Sequence, residues 1–371
     1  MPNDDACLEA LPDQVEYVET ARNLLAGQGM QFFDRRFGES VYAYRMPAYP
    51  LLIALCGGDV RIVRIAQALI DTSTVLAIYL LARRWIETGP ALFAAAIVAI
   101  NPFLIYFSGL LLSETLFTAM LAWGMCLLVG RRWWSGALLL ALSVLVRPSA
   151  LALPMVLGLG ADFVRRKRPV VGIATLAMTI LVLIPWAYRN HLAVNQWVWG
   201  TTNGGISLYD GMNPSATGAS DQRFVANMPQ LRTLSEVERS RYFSHQAWAY
   251  AADHPAAVLK LAAIKIGRTL SPIPLSAEYG SNRRLVAVAL AYMVPLDLLA
   301  IVGLWRARRS AKMYLLLPVL YFTAVHAVFI GSLRYRVPAD VPIAILAALG
   351  VARTREALIT DSERPINGPP L

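Results

Sequence analysis

DQVEYVETARNLLAGQGMQFFDRRFGESVYAYRMPAYP, residues 13–50, is the one long polar stretch ahead of a chain that afterwards runs almost entirely in apolar segments. An acid, Asp13, opens it and an arginine, Arg45, stands near its close. Its role depends on the rest of the chain, because a polar segment in front of a membrane domain lies on one definite side of that membrane.

The composition settles the class. Of 371 residues 57% are hydrophobic and only 16% charged, with a mean hydropathy of +0.49, too apolar for a soluble domain of this size. The net charge of +10 sits largely in short basic clusters between apolar runs, which is the positive-inside pattern and argues against nucleic acid as a partner. Cys126 falls in an apolar run and reads as a small core residue. Cys7 and Cys56 fall on the same side, where a disulfide would persist, and the sequence leaves their pairing open. His191, His245, His254 and His326 show no metal-binding spacing.

Apolar runs of spanning or half-spanning length occur at about Val63–Ala82, Pro90–Tyr106, Leu116–Gly130, Gly136–Val146, Ala150–Phe163, Val170–Trp186, Leu285–Trp305, Tyr314–Gly331 and Val341–Val351. Several fall short of the ~20 residues of a full span, which predicts broken or re-entrant helices. Arg83–Arg84, Arg131–Arg132, 165–168, Arg306–Lys312 and Arg353–Arg355 occupy alternate gaps. Placing them in the cytoplasm predicts an all-α polytopic membrane protein of about nine transmembrane or half-spanning helices with two outer-face loop regions. The expected divisions are an outer N-terminal loop region 1–61, membrane helices 62–188, an outer loop with helices 189–284, C-terminal membrane helices 285–352 and a cytoplasmic tail 353–371. Neither a signal peptide nor an apolar helix precedes the first region. That predicts a further transmembrane helix upstream, lost with a mis-started reading frame, or translocation of the N-terminal tail.

Within 13–50, Tyr17, Ala21, Leu24 and Leu25 share a helical face that ends near Gly27 and Gly29. Asp13-x-x-Glu16 fits a helix capping box and fits a catalytic acid equally well. In the second outer region Thr233-x-x-Glu236 predicts a capping box for a helix to about Ala252, and Asp253-His254-Pro255 starts another to about Leu270. Arg45, Glu114, Arg147, Arg189, Arg334 and Arg336 all map near the outer face beside Asp13. Ionisable groups at membrane depth are costly, so their convergence points to chemistry on an anion, although snorkelling and helix capping account for any one of them. Asp71 and Asp297 lie mid-segment and fit hydrogen-bonding or packing roles.

Asp13 and Tyr17, then ARNLLAGQG (21–29), RMPAYPLLIAL (45–55), YFSGLLLSETLF (106–117), LVRPSAL (145–151), IPWAYRN (184–190), TTNGGISLYDGMNP (201–214) and RYRVP (334–338) succeed one another in an order that resembles a known group. It resembles the bacterial GT-C type membrane glycosyltransferases of family 39, the dolichyl-phosphate-mannose-protein mannosyltransferase-like enzymes related to the lipid A aminoarabinose transferases. The similarity extends from Asp13 to about Gly350. It implies an inverting transfer from a polyprenyl-phosphate sugar donor to a hydroxyl of a glycolipid, polysaccharide or protein, on the outer face of the bacterial cytoplasmic (inner) membrane. It assigns the catalytic carboxylate, the base on the acceptor hydroxyl, to Asp13, with Gln14 in place of the family's second acid. It gives the donor phosphate to Arg45, with Arg147, Arg189, Arg334 and Arg336 in reserve, and Tyr44 stands where the family carries an acid. Glu16, Tyr17, Glu114, Asn203 and Tyr209 are the expected substrate-binding residues. No cofactor is implied, no dedicated metal ligands stand out, and a divalent metal is left open. A transporter or flippase of lipid-linked sugars is the competing reading, since broken helices and buried charges also describe transporters.

Overall fold

The computed structural model describes residues 11–166, 168–275 and 280–352; Cys7 and the tail from residue 353 lie outside them. The polar stretch folds as helix α1 (Pro12–Leu25), a hairpin of β1 (Phe32–Asp34) and β2 (Glu39–Val41), and, past Arg45, helix α2 (Ala48–Leu55). Eleven longer or shorter helices carry the chain to 306: α3 (Val60–Ala82), α4 (Thr88–Ala99), α5 (Pro102–Ser108), α6 (Glu114–Leu128), α7 (Trp133–Val144), α8 (Leu153–Arg165), α9 (Val170–Val194), α10 (Asn203–Gly211), α11 (Glu236–Asp253), α12 (Pro255–Leu270) and α13 (Arg283–Arg306). Helices α14 (Arg309–Val328) and α15 (Leu333–Val351) complete the fold.

Of the nine apolar runs, four among the described residues form helices long and apolar enough to cross a membrane outright: α3, α9, α13 and α14. The pair α4 and α5 meets the same test together, bent by 50° at the break. Asn101 causes that break: its side chain accepts from the Phe103 and Leu104 amides while Pro102 opens the next helix, so α5 is capped as a separate unit. Helices α6 and α7 are apolar but shorter, as expected of half-spans packed inside protein. The protein is a multi-pass membrane protein.

The run expected at Val341–Val351 begins eight residues earlier, because Leu333–Pro338 joins it as the first turns of α15. Nearly every residue of α15 is buried, which makes it the central helix. It lies against α13 so closely that a Cβ on Gly303 would sit 1.7 Å from the Leu346 carbonyl oxygen, and one on Gly350 would sit 2.1 Å from that of Leu299. Gly303→Val must therefore push the two helices apart, an overpacking cost of about 1–3 kcal/mol or more. The expected result is a lowered unfolding temperature of the detergent-solubilised protein, with Leu298→Ala, at a side chain 60% exposed on the same helix, as the unaffected control.

Hairpin and second loop region form one unit. Phe32, Phe37, Val41 and Tyr44 pack with Ile206, Val225, Leu231 and Phe243. The Glu236 carboxylate accepts from the Tyr42 and Ala43 amides at 3.2 Å and from the Thr202 hydroxyl at 3.2 Å. Arg189 donates to the Met30 and Tyr42 carbonyls at 2.6 Å each. The α11 capping box is Ser235–Glu238, two residues beyond the expected Thr233–Glu236, since 229–233 stays a 3-10 turn and Glu236 is drawn to the hairpin's exit.

Candidate active site

Helix α1 starts at Pro12, whose fixed φ suits the first turn, behind an N-cap, Leu11, that has no side-chain acceptor. The expected Asp13–Glu16 capping box does not form. Three residues apart, the two acids share one face of the helix and both turn to Arg45. Arg45 Nη2 lies 2.5 Å from Asp13 Oδ1, and its Nε donates to Glu16 Oε2 at 2.6 Å. The other Asp13 oxygen accepts from Arg334 Nη1 at 3.1 Å. Arg334 Nε bonds Glu114 Oε1, which also takes Arg147 Nη2 at 3.1 Å. Glu16, Arg45, Asp13, Arg334, Glu114 and Arg147 thus form a ladder of alternating charge.

Three helix starts supply Asp13, Glu114 and Arg334. Asp13 and Glu114 lie in the first turns of α1 and α6, where a carboxylate is favoured by the helix dipole. Arg334 lies in the first turn of α15, where a cation is disfavoured, and the two acids offset that cost. Converging amide-rich helix ends together with guanidinium groups make a setting suited to an anion.

The hairpin adds a second polar group that the residue pattern did not single out. Asp34 O accepts from the Phe37 and Gly38 amides, and Gly38 takes the left-handed φ of 74° that this tight turn requires. The Asp34 carboxylate accepts from the Arg36 amide and guanidinium at 2.7–3.0 Å. Arg36 reaches on to the Tyr44 hydroxyl at 2.6 Å and to Gln222 Oε1 at 2.8 Å. The turn chemistry of FFDRRFG was the available signal for the hairpin.

These groups face a cavity of about 1280 Å³. Among the described residues, Asp13, Glu16, Glu19 and Asp34 line it against Arg35, Arg36, Arg45, Arg268 and Arg334, four acids against five arginines. Its apolar wall comes from α5 and α13, with Phe103, Tyr106, Phe107, Leu285 and Val288, and its polar wall includes Asn203, Ser207, Ser220 and Gln222. Of the expected site residues, Asp13, Glu16, Arg45, Arg334 and Asn203 line it.

The others sit behind it or elsewhere. Glu114 and Arg147 are buried, with Arg147 between the Phe117 and Tyr335 rings. Tyr17 packs edge-on against Tyr49 and under the Arg45 guanidinium. Tyr209 belongs to an aromatic cluster with Phe224 and Phe243. Arg189 holds the hairpin, and Arg336 pairs with Asp340 one turn along α15 and ties that helix to Asp297 and the Leu270 carbonyl. Gln14 is buried away from the cavity, its Oε1 accepting from the Leu111 amide at 2.8 Å. No group of three or more His, Cys, Asp or Glu is placed to hold a metal among the described residues.

Burial alone would raise the Asp13 carboxyl, but Arg45 and Arg334 overcome it and hold the group well below the usual carboxylate range. For Glu16 burial wins: its carboxyl is pushed up despite Arg45, with the charge of Asp13 adding to the rise. Burial likewise drives the Tyr44 phenol up, so it stays a neutral hydroxyl beside Arg36.

No family model matches the chain, and no curated protein matches it. Solved structures do. The archaeal oligosaccharyltransferase AglB from Archaeoglobus fulgidus, in complex with an inhibitory peptide and a dolichol-phosphate, superimposes with a TM-score of 0.53 at 14% identity over 91% of this chain. The oligosaccharyltransferase of the same organism tethered to an acceptor peptide containing the NVT sequon gives 0.53 at 16% identity over 91%, and its apo form 0.51 at 15% over 90%. The chain spans 44–46% of the length of these structures. At this level of identity the likeness is one of fold: the chain shares the GT-C type membrane fold of the archaeal oligosaccharyltransferases.

Proposed function

We propose that this protein is an inverting membrane glycosyltransferase of the family 39 kind, moving a sugar from a polyprenyl-phosphate donor to a hydroxyl on a glycolipid, polysaccharide or protein. On this reading it works in the bacterial cytoplasmic membrane with its cavity open to the outer face. The observation that carries the proposal is a cavity with an apolar wall on one side and Arg45 and Arg334, bridged by Asp13, on the other. A prenyl chain suits the α5–α13 wall, and its phosphate suits the two guanidinium groups.

The chemistry is set by the donor. A sugar phosphate already carries a good leaving group, so the acid that glycosidases use to protonate a leaving oxygen is dispensable. What remains is to stabilise the departing phosphate and to take a proton from the acceptor hydroxyl. Arg45 and Arg334 do the first, and the carboxylate face of α1, Asp13 with Glu16, serves the second. Asn203 and the hairpin groups Asp34, Arg36 and Tyr44 offer donors and acceptors to sugar hydroxyls.

The test uses membranes containing the protein and polyprenyl phosphate bearing radiolabelled mannose or aminoarabinose. Label is expected to move from the lipid donor to membrane acceptor material, and Asp13→Asn to lower that transfer at least tenfold. Label that crosses the bilayer but stays on its lipid would overturn the proposal in favour of a flippase.

A further inference from the structure

Asp13 is the residue that resemblance marks as the base, yet its carboxylate is not free to act as one. Both of its oxygens are engaged, Oδ1 by Arg45 and Oδ2 by Arg334. A base needs an unshared oxygen in reach of the hydroxyl it deprotonates. One turn on, Glu16 is held by a single oxygen: Oε2 takes Arg45, whereas Oε1 accepts no hydrogen bond among the described residues and has Arg36 at 3.9 Å as a cation neighbour. Glu16 lines the cavity with a side chain only 13% exposed. It stands between the phosphate-binding pair, Arg45 and Arg334, and the hairpin's sugar-binding groups.

Resting on the glycosyltransferase reading, we infer that Glu16 is the proton acceptor of the reaction and that Asp13 is a positioning residue that holds Arg45 and Arg334 for the phosphate. The acceptor O–H gives its proton to Glu16 Oε1 while the oxygen forms a bond to the anomeric carbon. The bond from that carbon to the phosphate oxygen breaks, and its electron pair leaves with the phosphate, which becomes a monoester dianion between the two arginines. Glu16 then passes the proton to water.

The charged and titratable groups facing Glu16 are Asp13 and Glu19 on its own helix, Asp34 and Arg36 on the hairpin, and Tyr44 and Arg45 on the segment after it. With burial outweighing Arg45, the carboxyl titrates above the ordinary glutamate range. The ionised form is the active one, so transfer rises with pH through that raised value, and the acid limb of the rate profile belongs to Glu16.

The experiment compares wild type, Glu16→Gln and Asp13→Asn in the same transfer from polyprenyl-phosphate mannose or aminoarabinose, with kcat and donor KM measured against pH. Gln keeps an oxygen for Arg45, so Glu16→Gln is expected to lower kcat by about a hundredfold with donor KM unchanged, and to erase the acid limb. Asp13→Asn is expected to raise donor KM and keep the limb. Glu16→Asp, with the carboxylate restored one methylene away, recovers part of kcat together with the limb. Asp13→Asn losing the limb while Glu16→Gln keeps it would overturn the assignment. A wild type that transfers no sugar would instead overturn the glycosyltransferase reading itself.

Discussion

Arg334→Ala is expected to cost the protein both its activity and part of its stability. The guanidinium joins the cavity's acid to the buried one, touching Asp13 at the cavity and Glu114 behind it, the latter only 1% exposed. Its loss leaves Glu114 with Arg147 alone and frees one oxygen of Asp13. Breaking a fully buried pair costs about 3–5 kcal/mol, and since Arg334 itself is 29% exposed the lower end applies. Removing one donor aimed at developing charge costs about 10²–10³ in rate, and misplacing Arg45 through Asp13 adds to it. Arg334→Lys recovers little, because a single ammonium does not bridge two carboxylates as a planar fork does. The double variant Arg334→Met with Glu114→Gln separates the two effects: thermal stability returns towards wild type while sugar transfer stays low. Transfer by Arg334→Ala within threefold of wild type would remove Arg334 from the site.

Glu236→Ala is the second large effect, and it acts on a residue that does not line the cavity. Its carboxylate, 7% exposed, closes the hairpin's exit by accepting from Tyr42, Ala43 and Thr202. Truncation strands two amides and a hydroxyl, about 1–3 kcal/mol for each group left unsatisfied in a buried setting. Arg45 lies two residues past Ala43, so the loss loosens the segment that aims it. The expected outcome is a lower unfolding temperature together with a raised donor KM and a smaller change in kcat. Glu236→Gln, which keeps an acceptor oxygen, falls between. An unchanged KM in Glu236→Ala would uncouple the hairpin's anchor from the placement of Arg45.

Much of this was legible from residue order. Apolar runs and basic gaps give a polytopic membrane protein, and mapping ionisable groups onto that topology brings Asp13, Arg45 and Arg334 to one place. What stayed hidden has definite causes. Arg334 and Arg336 map together to the outer face, but they lie in helix α15, where residues two apart are turned by about 200° around the axis. One therefore meets Asp13 while the other meets Asp297 and Asp340. The local rule for capping boxes failed twice for a common reason. Asp13 and Glu16 found Arg45, and Glu236 found amides nearly two hundred residues away, so long-range partners prevailed over the neighbouring backbone. Arg189 and Tyr209 carry anchoring and packing roles that their residue types do not distinguish from ligand contacts.

The ladder also sets a timetable for the ribosome. Asp13 is made first among its members, and the guanidinium that completes its pairing is separated from it by 321 residues, in the last helix among the described residues. Until α15 enters the bundle, Glu114 is an acid at the end of an apolar helix with only Arg147 to answer it, a costly state in lipid. Insertion of that central helix is then the event that adds Arg334 to the cavity's charged wall and joins Asp13 to Glu114. A nascent chain stalled before residue 333 holds most of the apolar helices and the Asp13–Arg45–Glu16 group but lacks the arginine that joins that group to Glu114, so the ladder stays incomplete until late in translation.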